Sequence, residues 1–263
     1  MISILLICVG LGAIVGVLAG LLGIGGGLLI VPVLSYLLPY YLPVTPELAM
    51  PMAIATSLSS IILTSCSSAT AHFRLGHLQR DLMLWVGIGL ACGAILGSYI
   101  ATSIPAALLK SSFGVLVLVI AAQMLLYSRV ESNHSYSANK LVGIGGITGV
   151  ISALMGIGGG AILVPSLVWY RVALTTAIGC AAFGGFVIAI LGSLGYIVSG
   201  FGLPDLPQWS LGYIYLPATV GIVSTSIFTA KYGAKLAQRL PTKKLKRFFA
   251  VFLIIVGLRM ILG

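Results

Sequence analysis

Acidic residues are almost missing from this 263-residue chain: Glu47, Asp81, Glu131 and Asp205 are the only four. Charged residues of both signs make up 7%, against about 25% in an average soluble domain. That leaves too little polar surface to face water and excludes a soluble globular enzyme. None of the four carboxylates lies inside an apolar run, so the proton relays and cation sites that intramembrane Asp and Glu build are missing. No His–carboxylate or paired-acid constellation is available for general acid–base work, which argues against an intramembrane hydrolase and for a protein that is not an enzyme. Cysteine is sparse too. Cys8, Cys66, Cys92 and Cys180 stand singly in apolar surroundings with no C-x-x-C pair, the pattern of small hydrophobes in helices. No cofactor and no metal site is implied. The amino-terminus lacks a basic stretch followed by an A-x-A cleavage site, so it is expected to be mature structure.

What is present is apolar and basic. Hydrophobic residues make up 59% of the chain and the mean hydropathy is +1.17, values that point to an all-α polytopic membrane protein. The formal charge is +10. Its Lys and Arg residues fall between apolar stretches, where they orient helices in a membrane, and nucleic-acid binding is not expected.

The chain repeats itself. Leu22-Gly23-Ile24-Gly25-Gly26-Gly27, followed by Leu-Leu-Ile-Val-Pro32, recurs as Met155-Gly156-Ile157-Gly158-Gly159-Gly160, then Ala-Ile-Leu-Val-Pro165. Downstream, Ala55-Thr56-Ser57 falls on Gly179-Cys180-Ala181 and Leu109-Lys110 on Leu245-Lys246, with small changes of offset of the kind loop insertions produce. Two homologous halves follow, residues 1–130 and 131–263, forming one integral membrane domain. Apolar segments run over roughly 3–41, 48–72, 82–103 and 109–127, then 140–170, 173–199, 211–230 and 246–262. As one helix, 3–41 would be almost 60 Å long, about twice a bilayer core. Each leading segment is therefore expected to be two helical pieces hinged at the glycines, giving a Gly-hinged hairpin plus three transmembrane helices per half.

Charge placement orders the halves. The break 72–81 carries Arg74 and Arg80, but its counterpart 200–210 carries neither Lys nor Arg; the break 103–110 carries only Lys110, but 231–247 carries seven basic residues. The positive side swaps between halves, which makes them inverted-topology repeats with five crossings each and both termini outside. A parallel four-plus-four arrangement would put one of the basic breaks on the wrong side.

The doubled glycine run with Pro32 and Pro165, Ala55-Thr56-Ser57-Leu58, and Ala71-His72-Phe73-Arg74-Leu75-Gly76 together resemble the sulfite exporter TauE/SafE family of membrane permeases. The resemblance covers essentially the whole chain. It implies transport of sulfur-containing or organic anions such as sulfite, sulfoacetate or other sulfonates. One departure stands out: the family's small-Thr-Ser triplet is Gly179-Cys180-Ala181 in the second half, which bears on any site built from matching hydroxyls of both halves.

The residues suggest how an anion would be held. A hinge at Gly25, Gly26 and Gly27 places backbone N–H groups at the start of the next helix, where unpaired donors and about half a positive charge suit an anion. Gly158, Gly159 and Gly160 would aim a second helix start at the same region, so the two hinges are expected to cradle an oxyanion near mid-membrane. The plainer reading of these glycines is close packing and a sharp bend. Gly23 and Gly156 belong to the hinges, and Pro32 and Pro165 would kink the outgoing helices. Thr56 and Ser57, in a span also holding Ser59, Ser60 and Thr64, are candidates to line the path with Cys180 opposite; such hydroxyls equally bond back to their own helix. His72 and Arg74 are candidate inner gate residues. Arg259 is a candidate at the outer mouth, although a basic residue there also snorkels. Gly89, Gly93 and Gly97, like Gly12 and Gly16, have the four-residue spacing of packed helices.

The expectation is a secondary transporter of small anions, working by alternating access in the cytoplasmic (inner) membrane, multi-pass and surrounded by lipid. Coupling to Na+ or H+ and a homodimer are both possible partners to that reading. The alternatives are a passive anion channel and a non-transporting membrane accessory protein.

Overall fold

The computed structural model describes residues 2–22, 26–74, 76, 79–126, 137–170, 172–237 and 242–262. Its elements are α1 (Ile2–Leu22), α2 (Gly27–Tyr41), α3 (Pro46–Arg74), α4 (Arg80–Ser103), α5 (Ala106–Leu126), α6 (Ala138–Met155), α7 (Gly160–Trp169), α8 (Leu174–Ser199), the two-residue strands β1 (Ser210–Leu211) and β2 (Ile214–Tyr215), α9 (Leu216–Ala237) and α10 (Thr242–Leu262). In hydrocarbon every backbone polar group must be satisfied within the chain, so long apolar segments fold as helices. Five of them, α3, α4, α5, α6 and α8, are long and apolar enough to cross a bilayer.

Each leading apolar segment is two helices broken at the glycines, as expected. The second pieces are short. The 10 residues of α7 rise about 15 Å and the 15 of α2 about 22 Å, against a hydrocarbon core of about 30 Å. The count of two full crossings per leading segment is therefore corrected: α7 reaches about half-way. The expected segment 211–230 also begins differently, because 210–215 forms an antiparallel ribbon, with Ser210 opposite Tyr215, ahead of α9. The expected division at residue 130 lies outside the described residues.

Small residues set how the helices pair, because without a Cβ backbones approach closely. In α1 and α9, Gly12 faces the Ile222 carbonyl, Gly16 faces Ser226 and Thr229, and Gly221 faces Cys8. Thr225 Oγ1 donates across this seam to the Val9 carbonyl at 2.7 Å. In α4 and α6, Gly89 faces Val142, Gly93 faces Gly146 and Gly97 faces Val150. Both pairs run parallel. By contrast α3 and α8 are antiparallel, Leu58 meeting Gly192 and Ser65 meeting Gly185, and so are α5 and α10, where Gly114 meets Ile261 and Gly257 meets Leu118. Replacing each helix of residues 2–126 by its counterpart in 138–262 turns α1–α9 into α6–α4 and α2–α3 into α7–α8, and leaves α3–α8 and α5–α10 as they are.

The buried centre is α3. Met52, Ala53, Ile54, Ala55, Thr56, Ser57 and Leu58 are all fully buried, and α3 packs against α2, α8 and α9.

Candidate functional site

The two glycine runs meet. A Cβ on Gly27 would fall on the carbonyl oxygen of Gly156, and its next neighbour is the Ile157 Cα at 3.0 Å. Gly156 lies in turn against Ile54 of α3, whose Cα would stand 3.1 Å from an added Cβ. Ile54 and Ser57 lie 8 and 11 residues into α3, about 12–17 Å from its start, so the meeting point is deep in the bundle.

Local chemistry explains the turns. Gly156, which caps α6, has φ +66°, and Gly159, which caps the start of α7, has φ +72°. L side chains rarely adopt that left-handed region, so glycine is required at both. Between them the chain reverses from α6 into α7, the Ile157 N–H donating to the Ser152 carbonyl at 3.0 Å. In the first half Gly26 caps α2 with an ordinary φ of −77° and accepts from the Leu29 and Ile30 N–H groups. Helix starts leave their first N–H groups unpaired. Pro32 and Pro165 each lack an N–H, so the carbonyls four residues earlier, on Leu28 and Ala161, lose their helical partner. Each half-helix thus opens with donors and, one residue beyond the glycines, a freed acceptor. Gly23 and Gly25 lie outside the described residues. Gly158 has the Ile61 side chain beside it, and Gly160 is buried.

The hydroxyls expected to line a path serve as clamps between the halves. Ser57 Oγ donates to the Gly156 carbonyl at 2.8 Å. Thr56 Oγ1 accepts from the Tyr215 N–H at 3.0 Å, which ties the ribbon before α9 to α3. Ser59 Oγ and Thr219 Oγ1 are 2.8 Å apart. Cys180 is buried on α8. At the end of α3, His72 is half-buried and Arg74 exposed, on the outside of the glycine centre. At the other end of the bundle, Arg259 and Lys110 flank the ring of Tyr36, 5.1 and 4.8 Å from its centroid, and Tyr36 donates to the Arg259 carbonyl at 3.2 Å. Sequence reasoning named Arg259 and missed its two companions, because the three lie on different helices.

The centre is closed. Residues Gly26 to Pro32 are all buried. The cavity beside Gly26 measures about 10 Å³, enough for about one water. Among the described residues no group of three or more His, Cys, Asp or Glu side chains is placed to hold a metal. The polar groups at the centre are backbone amides, carbonyls and hydroxyls, which can hold a small ion by hydrogen bonds and dipoles but offer no acid, base or nucleophile pair for bond-breaking chemistry.

The family described as Sulfite exporter TauE/SafE matches residues 8–260. A protein of Haemophilus influenzae named as a probable membrane transporter protein is 41% identical over the whole of both chains. Proteins similarly named from Methanocaldococcus jannaschii and Bacillus subtilis are 28% and 26% identical, covering 95% and 97% of this chain and 93% and 96% of their own. No solved structure matches the chain.

Proposed function

The chain belongs to the sulfite exporter TauE/SafE family, and from that premise we propose that it is a secondary transporter moving small anions, sulfite, sulfoacetate or related sulfonates, across the cytoplasmic membrane. The observation that carries the reading is the meeting of the two glycine turns, where Gly27 at the start of α2 lies against Gly156, which ends α6 and opens the turn into α7. Each turn leads into a helix start, α2 after Gly26 and α7 after Gly159, and each N-terminus carries about half a positive charge without any cationic side chain.

Two inverted halves complete the mechanism. Its support is the antiparallel course of the counterpart helices α3 and α8, and of α5 and α10. Repeats related by an axis along the membrane normal would run parallel, whereas an axis in the membrane plane reverses them. The closed centre then opens to one side at a time as the tightly seamed pairs α1–α9 and α4–α6 rock against the half-helices. The Ser57–Gly156 and Thr56–Tyr215 bonds are contacts between halves that such a motion must break and remake. A passive channel would not need them to break.

The test is uptake of labelled sulfite, sulfoacetate, taurine and sulfate into proteoliposomes. The expected result is saturable flux of a sulfur anion, accelerated by the same anion on the opposite side. Flux that never saturates and shows no counter-exchange would make the protein a channel, and absence of flux for every solute would make it a non-transporting accessory protein.

A further inference from the structure

Ser226, in α9, is 1% exposed, and its Oγ has no hydrogen-bond partner. A buried orphan hydroxyl is costly and uncommon. It lines the small cavity at the start of α2, together with Gly26, Ser60, Thr64, Val15 and Ala19. The hydroxyls of Ser60 and Thr64 already donate to the carbonyls of Thr56 and Ile61, at 2.8 and 3.0 Å, so what they offer is lone pairs. The cavity therefore lies beside Gly26, the N-cap of α2, where a helix start has N–H groups without a partner inside the helix, and it adds one uncommitted O–H and two acceptor oxygens; none of its lining residues is charged. The second half also sets a buried serine beside its helix start, drawn from a different helix. With the offset of 133 residues, Gly26 corresponds to Gly159, Val15 to Thr148 and Ala19 to Ser152. Ser152 Oγ is likewise buried without a partner, 3.6 Å from where a Cβ on Gly159 would stand.

We propose that the Gly26–Ser226 chamber is a binding subsite for one small monovalent oxyanion, held by the α2 amides and the Ser226 hydroxyl. Ser60 and Thr64 accept from a protonated ligand oxygen. The inference rests on the transport reading above and names the side chains and the charge state it leaves open. A single helix start carries about half a positive charge, so a monovalent anion keeps only about half of its charge uncompensated. A dianion would leave most of its charge unpaired in a low-dielectric interior. The chamber is the closed form of the subsite: α1 and α9 are seamed by Gly12, Gly16 and Gly221, so room for an oxyanion opens when that pair moves as a unit away from α3.

The experiment is thermal stability of the detergent-purified full chain, titrated with sulfite at mildly acid and mildly alkaline pH, nitrate, acetate and sulfate, with Na+ held constant across the anion series and then varied at constant sulfite. The expected result is stabilisation by sulfite at the acid pH, where its singly charged form is abundant, and none by sulfate. Ser226→Ala should weaken the apparent affinity roughly tenfold, the loss of one hydrogen bond to a charged group, with thermal stability unchanged when no anion is added. Thr64→Val, isosteric and on another helix, weakens binding in the same direction and keeps the test open if the first variant does not accumulate. Unchanged anion affinity in both variants, equal stabilisation by sulfate, or a shift that follows Na+ at constant anion would each overturn the subsite. Sulfite flux in proteoliposomes separates the two levels: normal flux with an indifferent Ser226→Ala leaves the transporter standing without this subsite, and absence of flux in the unsubstituted protein removes both.

Discussion

The two glycine turns are built from the same words and finished differently. In the second, Gly156 and Gly159 both take left-handed φ, and the turn is pinned by Ser57 from the opposite half. In the first, Gly26 is an ordinary right-handed cap whose would-be Cβ meets the Val15 side chain. The counterpart of Ser57 is Ala181, which has no hydroxyl to make the same bond. The flanking hydroxyls differ too: Thr148 and Ser152 stand on α6 where α1 offers Val15 and Ala19, and Ser226 of α9 makes up the difference. Both turns end with a helix start facing a buried serine. The two turns share the break and the helix start but not the backbone angles, and each recruits its polar groups from whichever neighbour can reach.

That contrast can be broken where the turns touch. Gly27→Val should have the largest effect, because its Cβ would fall on the Gly156 carbonyl, a backbone atom that cannot swing aside. Overpacking of this kind costs about 1–3 kcal/mol, and a lowered unfolding temperature with loss of the monodisperse peak in size-exclusion chromatography is the expected outcome. Ser57→Ala leaves a buried carbonyl without its donor, a loss of about 1–3 kcal/mol, seen as a lower unfolding temperature.

A matched pair of substitutions sharpens the difference in φ. Gly159→Ala should cost about 1–2 kcal/mol from left-handed backbone alone, and trimming Ile188, the side chain its Cβ would meet, should not restore stability. Gly26→Ala has no such backbone cost, and Val15→Ala in the same chain should rescue it. Thermal unfolding of the two double variants checks both arms; equal rescue at both sites would show that φ is not what separates the turns. The smallest effect belongs to the periphery. Lys110→Gln with Arg259→Gln should slow anion uptake a few-fold at low ionic strength and leave it unchanged at high salt, as expected of steering by exposed charge.

Much of the architecture was legible along the chain. Apart from α9, which starts after the ribbon and runs on to Ala237, helix limits fall within a few residues of the apolar segments, and the breaks fall at the glycine runs, because partitioning of a segment into hydrocarbon depends on its own length and composition. The four-spaced glycines of α4 announced a close helix seam for the same local reason. Less of the site could be read. Thr56 and Ser57 were visible as hydroxyls in an apolar span, but whether they face a path or clamp a neighbour depends on what α3 packs against. Tyr36 and Lys110 carry no local sign that they share Arg259's surroundings. Ser226 and Ser152 look like any small residue in a packed helix.

The amino-acid sequence by itself determined that this is a helical membrane protein in which a glycine run recurs and breaks an apolar segment each time, because solvent transfer and glycine's backbone freedom act residue by residue. Only the tertiary structure decided that Gly27 lies on Gly156, that Ser57 and Thr56 bond across the halves, that the ribbon at 210–215 tucks against α3, and that one serine stands unpartnered beside each helix start. Apart from Ser152 beside Gly159, those contacts join residues roughly 100 to 200 positions apart, and their register is set by all the packed helices at once.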